Sequence, residues 1–313
     1  MNKLKIFITL IVFTIFIGRL SAQNIEKIIL NPLDNVSGYY LAVKPQSGII
    51  KGVLILLPGF GQAPESVFSE SKLPDTAYRN DLLVIAIAGG NRLYADSSLL
   101  LKLNSAFSHV VKSFSVDIDK IVIGGYSAGG TIALRYIELS QQFPELHSIH
   151  PKAVFTIDSP VDLMEIYHYF KREITRNYSP AGVAEAEFAS NLMNKEIGTP
   201  ESNPELYKQL TPFFKDSKEA GNEKYLSKIS VRVYHDVDIN WYLKERKRSA
   251  FDMNFLYSSE MINRLLLMGN SHAEFIQSEK EGRRSNGIRH PHSWNIVEET
   301  ECVQWINEQL KIK

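Results

Sequence analysis

Two kinds of apolar pattern alternate along the chain. Short continuous runs at Gly52–Leu57, Leu82–Ile87 and Ala153–Ile157 are rich in Val, Ile and Leu, and each is bounded by turn residues. Continuous runs of that length predict strands buried on both faces, because a half-exposed strand would alternate apolar with polar. Ser230–Tyr234 and Ala273–Gln277 predict two more strands, and Ile25–Leu30 and Gly38–Val43 predict a pair joined by the Asn31-Pro32-Leu33-Asp34-Asn35 turn. Between the runs, apolar residues return every three or four positions. Leu99, Leu100, Leu103, Phe107, Val110, Val111 and Phe114 predict a helix over Ser97–Phe114. Further helices are predicted over Lys72–Asn80, over Leu256–Met268 before Gly269-Asn270, and on Ile296, Val303, Ile306 and Leu310. Strands alternating with helices over such a length predict an α/β fold, a mostly parallel sheet with helices on both faces.

Two stretches depart from this pattern. Residues 161–229 read as helical segments rich in Tyr, Phe, Lys and Glu, broken at Ser179-Pro180, Thr199-Pro200 and Thr211-Pro212. Residues 1–22 place Lys3 and Lys5 before the apolar run Ile6–Ile17 and end in Ser21-Ala22, the layout of a secretory signal peptide. That run is shorter than the roughly 20 residues a membrane-spanning helix needs. The expectation is an exported protein without a stable membrane anchor, and one domain over residues 23–313.

The chemistry centres on Ile121-Val122-Ile123-Gly124-Gly125-Tyr126-Ser127-Ala128-Gly129-Gly130, where an apolar run ends in a glycine-flanked serine. Thr131, Ile132, Leu134, Ile137 and Leu139 continue the stretch as a helix. A serine at the tip of a tight strand-to-helix turn needs nearly side-chain-free neighbours two positions away on each side, here Gly125 and Gly129. Such a turn lifts the hydroxyl beyond the sheet and aims the first amides of the helix at it. The stretch resembles the nucleophile elbow of the α/β-hydrolase superfamily.

The resemblance implies an α/β-hydrolase fold, with segment 161–229 as a helical cap inserted over the site, and it implies where the other functional groups lie. The loop after the Gly52–Leu57 strand, Pro58-Gly59-Phe60-Gly61-Gln62, supplies one of two oxyanion-hole amides: Phe60, or alternatively Gly61, paired with Ala128. The acid lies a few residues past the Ser230–Tyr234 strand, within His235-Asp236-Val237-Asp238. Asp238 is the first candidate there and Asp236 the rival. The general base lies in the loop before the final helix, Ile288-Arg289-His290-Pro291-His292-Ser293-Trp294. His292 is the first candidate and His290 the alternative, disfavoured by the restriction Pro291 places on its backbone. Ser127, Asp238 and His292 follow in the order this fold requires. His235 is expected near the acid.

Composition narrows the remaining classes. Lysine plus arginine and aspartate plus glutamate each number 35, and loss of the leader, with Lys3, Lys5 and Arg19, would leave a small acidic surplus. A nucleic-acid partner, which needs a concentrated basic surface, is disfavoured. The single cysteine, Cys302, cannot form an internal disulfide and is expected to pack in the last helix. No zinc-type histidine pair and no phosphate loop is present, so no cofactor and no metal are implied. Lys244, Arg246, Lys247, Arg248, Arg283, Arg284 and Arg289 flank the expected acid and base loops. They read first as solvated faces, and otherwise as a field that steers an anionic substrate. The sequence thus predicts a serine hydrolase acting on a small or polymer-attached carboxylic ester. The alternatives are a peptidase of the same fold and a non-catalytic binding protein that retains it.

Overall fold

The apolar runs assemble into one eight-stranded sheet in the computed structural model, which describes residues 23–34 and 38–312. The expected leader, residues 1–22, lies outside the described residues. The strands are β1 (Ile25–Ile29), β2 (Tyr39–Val43), β3 (Gly52–Leu57), β4 (Leu82–Ile87), β5 (Ile121–Tyr126), β6 (Ala153–Ile157), β7 (Ser230–His235) and β8 (Ala273–Gln277). They lie side by side in the order β1-β2-β4-β3-β5-β6-β7-β8. β2 pairs antiparallel with both β1 and β4, and every other pairing is parallel. The register sets Leu57 beside Gly125, Tyr126 beside Ile157, and Ile157 beside Tyr234. The C-terminal ends of β3, β5, β6 and β7 therefore meet at one edge, where loops from all four strands can converge.

Ten helices connect these strands among the described residues: α1 (Glu65–Glu70), α2 (Leu73–Arg79), α3 (Ser97–Phe114), α4 (Ala128–Gln142), α5 (Leu163–Arg176), α6 (Pro180–Glu196), α7 (Pro204–Leu210), the single turn α8 (Ile239–Trp241), α9 (Asn254–Leu267) and α10 (Glu299–Gln309). The central strands bury both faces, and their side chains divide by strand parity. Val53, Ile55 and Leu57 pack with Phe107 of α3, Ile132 of α4 and Leu265 of α9. Leu54 and Leu56 face the other way, with Leu73 and Ala77 of α2 and Cys302 and Ile306 of α10. Each such buried aliphatic side chain contributes about 1.5–3 kcal/mol relative to exposure. Segment 161–229 folds largely as α5, α6 and α7. These helices bury their own cluster, including Tyr167, Phe170, Met193 and Tyr207, against Leu93, Tyr94 and Ala128 of the main body.

The predicted elements reappear with small shifts at their ends. The final helix begins at Glu299, because Ile296 belongs to a separate short turn, Trp294–Ile296, and Val297 after it is extended. The strand before Ser127 runs to Tyr126, through both glycines, so strand and helix close on each other at once. A Cβ on Gly125 would drive into the backbone of Gly129, and one on Gly129 into the carbonyls of Leu57 and Pro58. Neither backbone can yield without opening the centre of the sheet. Gly129→Ala is expected to cost at least about 2 kcal/mol, read as a lower urea midpoint. A wild-type midpoint in that variant would contradict this packing.

Candidate active site

Ser127 joins β5 to α4 with φ 52° and ψ −128°, a left-handed backbone that a serine adopts only under constraint. Its N–H donates to the carbonyl of Ile157 at 2.9 Å, which ties the turn to the end of β6. The hydroxyl lies 3.1 Å from Nε2 of His292. Nearby amides divide into committed and free. Gly59 donates to Oε1 of Gln62 and Gly61 to the carbonyl of Gly90. Gly61 is thus withdrawn as an alternative donor, its N–H being occupied. The N–H groups of Phe60 and Ala128 donate to no other group among the described residues.

The other ring nitrogen of His292, Nδ1, lies 2.7 Å from Oδ2 of Asp158. A carboxylate there requires the proton on Nδ1 and leaves Nε2 free to accept from Ser127. Asp158 is the residue after β6 and is 8% exposed. Its φ is 43°, its N–H donates to the carbonyl of Tyr234, and its own carbonyl accepts from Nδ2 of Asn254. The second carboxylate oxygen, Oδ1, lies 2.9 Å from Nδ1 of His235. His235 is buried and stacked on Phe275, and its Nε2 has no partner among the described residues, so its proton belongs on Nδ1. Burial alone would raise the pKa of Asp158. The two imidazoles, His292 foremost, outweigh it and hold the carboxyl below the ordinary carboxylate range.

This arrangement corrects the expected acid. Asp238 accepts from the N–H of Trp241 as the cap of α8 and pairs with Arg289 at 3.0 Å. Asp236 accepts from the N–H of Gly282 and pairs with Arg289 at 2.6 Å. Both carboxylates are thereby turned to the loop that carries His292, and neither contacts that imidazole. Asp158 holds the position because β6 adjoins β5, one strand nearer Ser127 than β7. The sequence signal was there in Ile157-Asp158-Ser159-Pro160, an acid directly beyond a wholly buried strand.

His290 is likewise directed elsewhere. Its N–H donates to the carbonyl of Gly282, and its ring meets Trp241 edge-on at 5.1 Å rather than Ser127. One supporting residue carried no signal in the sequence. Tyr126 lies 4.8 Å from the His292 ring, rests on Trp294, and donates its hydroxyl to the His292 carbonyl.

Ser127, His292 and Phe60 open on a pocket of about 380 Å³, whose far wall includes Tyr169, Phe170 and Ala181 from α5 and α6. The Arg289 clamp joins the loop after β7 to the loop that delivers His292. Arg289→Gln leaves two acids facing each other, and is expected to destabilise the fold by about 1–3 kcal/mol. It should also speed amide exchange across residues 281–292; unchanged exchange there would show that the clamp does not hold the loop.

No family model and no curated protein sequence matches the chain. Solved structures do. Carboxyl esterase 2 of the mycorrhizal fungus Tuber melanosporum aligns with a TM-score of 0.58 and 16% identity, over 93% of this chain and 86% of its own. An esterase of Pyrobaculum calidifontis gives 0.56 and 16%, over 92% and 85%. An esterase of Rhizomucor miehei gives 0.57 and 12%, over 93% and 84%. Identities this low speak for architecture alone, and with the strand order above they show that the chain has the α/β-hydrolase fold.

Proposed function

We propose that the protein is a serine hydrolase that cleaves carboxylic esters through Ser127, His292 and Asp158. The observation that carries this reading is the unbroken line from Ser127 Oγ through His292 to Asp158, at 3.1 and 2.7 Å. Ser127 Oγ attacks the ester carbonyl as its proton passes to His292 Nε2. Asp158 fixes the imidazole and stabilises its charged form. The negative charge that develops on the carbonyl oxygen meets the free amides of Phe60 and Ala128. His292 then returns the proton to the departing alcohol, leaving an acyl group on Ser127. Water, activated by the same histidine, attacks the acyl carbonyl, and its collapse releases the acid and restores the serine.

The esterases among similar structures favour ester over peptide substrates, by analogy of fold. The pocket fits that choice, since about 380 Å³ is room enough for a small ester. The helices α5 to α7 serve as a cap that excludes water while the acyl group is held. The lysines and apolar run within residues 1–22 favour export of the enzyme.

A fluorophosphonate probe should add one label to the folded protein and none to Ser127→Ala, read by intact mass. An unlabelled wild type would contradict the reading. Asp158→Asn is expected to lower kcat by about 10³–10⁴, through the wrong imidazole tautomer, and Asp238→Asn by less than about tenfold. The reverse ranking would restore Asp238 as the acid. His235→Phe removes one hydrogen bond to a charged group, and kcat should fall about tenfold or more with KM little changed. An unchanged kcat would reduce His235 to a packing residue.

A further inference from the structure

The arginines that flank the expected acid and base loops divide into two sets. Arg289 is committed to Asp236 and Asp238, and Arg248 to Glu173. Arg246 and Arg284 line the pocket that holds Ser127 and His292, and neither has a carboxylate partner among the described residues. Arg246 lies over the ring of Trp241, 5.3 Å from its centroid. Trp241 packs against His290, whose ring is 6.4 Å from that of His292. Arg284 donates from Nη1 to the hydroxyl of Tyr126, beside the same histidine.

The acids on the pocket wall leave this end positive. Asp158 is held by the two imidazoles and Asp252 by Arg172 and Arg176. Glu185 borders the pocket from α6, on the side of Tyr169. His290 adds a buried Nδ1 without a partner among the described residues. Burial, with Arg284, His292 and Arg246 nearby, pushes its imidazole down to about 2, so it stays neutral and can turn an N–H toward an acceptor.

From this grouping we infer that the ester substrate carries a carboxylate on its alcohol part, bound between Arg246 and Arg284 beside His290. Guanidinium groups pair with carboxylates through two parallel N–H bonds, and these two, in a partly enclosed pocket, pair with no carboxylate among the described residues. The alcohol side follows from the chemistry. His292 Nε2 must hand its proton to the departing oxygen, so the alcohol part lies over that imidazole, at the end where His290, Arg246 and Arg284 gather. This inference rests on the serine-hydrolase reading above.

Hydrolysis of O-butanoyl glycolate and of its neutral isostere O-butanoyl glycolamide, followed by acid release at constant pH, tests it. The wild type should favour the anionic ester in kcat/KM by at least about tenfold, a difference of about 1.4 kcal/mol. Arg246→Gln and Arg284→Gln should each bring that ratio down toward one. The ratio cancels any general loss in Arg284→Gln, whose tie to Tyr126 also supports His292. Monoethyl succinate against ethyl succinamate places the charge on the acyl side, and a preference confined to that pair would overturn the assignment. Equal rates for the glycolate pair, or no turnover of the anionic ester by a protein that takes the fluorophosphonate label, would overturn this inference alone. Absence of the label would remove the hydrolase reading as well.

Discussion

The carboxylate of Asp158 sits between two imidazoles, one on each oxygen, and the geometry of the site follows from that placement. His292 presents a bare Nε2 to Ser127 only while Asp158 accepts its Nδ1 proton. Asp158 stays charged in a buried position because His292 first, and His235 on its second oxygen, offset the desolvation cost that burial alone would impose. The backbone of Asp158 is pinned by Tyr234 on one side and Asn254 on the other, so the carboxylate cannot turn away. Three strands are involved, β5 leading directly into Ser127, β6 directly into Asp158, and β7 ending at His235. The sheet register brings them to one edge before any loop is placed.

What surrounds that carboxylate is held by a second charge network one layer out. Arg289 gathers Asp236 and Asp238 and thereby fastens the loop after β7 to the loop bearing His292. Tyr126 fastens the same loop from below through the His292 carbonyl. The acids nearest in sequence to the expected position therefore set the place of the histidine without touching it. Arg246 and Arg284, left over from this pairing, give the pocket its charge.

Most of the fold was legible because its signals are local. Leu54 and Leu56 face one layer while Val53 and Ile55 face the other, and a short run apolar at all four positions, bounded by turns, suits a strand covered on both sides. The turn at Ser127 was legible because Gly125 and Gly129 are where backbones nearly touch. The carboxylate beside His292 was not, since which one it is depends on which strand end lies nearest Ser127 in the sheet. Asp158 and Asp238 are equally plausible carboxylates in one dimension, and only the adjacency of β6 to β5 separates them. The uses of Arg246, Arg284 and Arg289 depend on which acids fold beside them, information the chain order does not carry. The contribution of Tyr126 was hidden for the same reason, as its hydroxyl meets a carbonyl far along the chain.

Whether Asp158 orients the histidine that faces Ser127 can be read from the Nδ1 proton of His292. In protein labelled with ¹⁵N at histidine, a proton shared with a buried carboxylate gives a strongly downfield, slowly exchanging resonance. This resonance should be present in the wild type and in Asp238→Asn, and lost or moved well upfield in Asp158→Asn. Loss of the resonance in Asp238→Asn with its retention in Asp158→Asn would contradict the account.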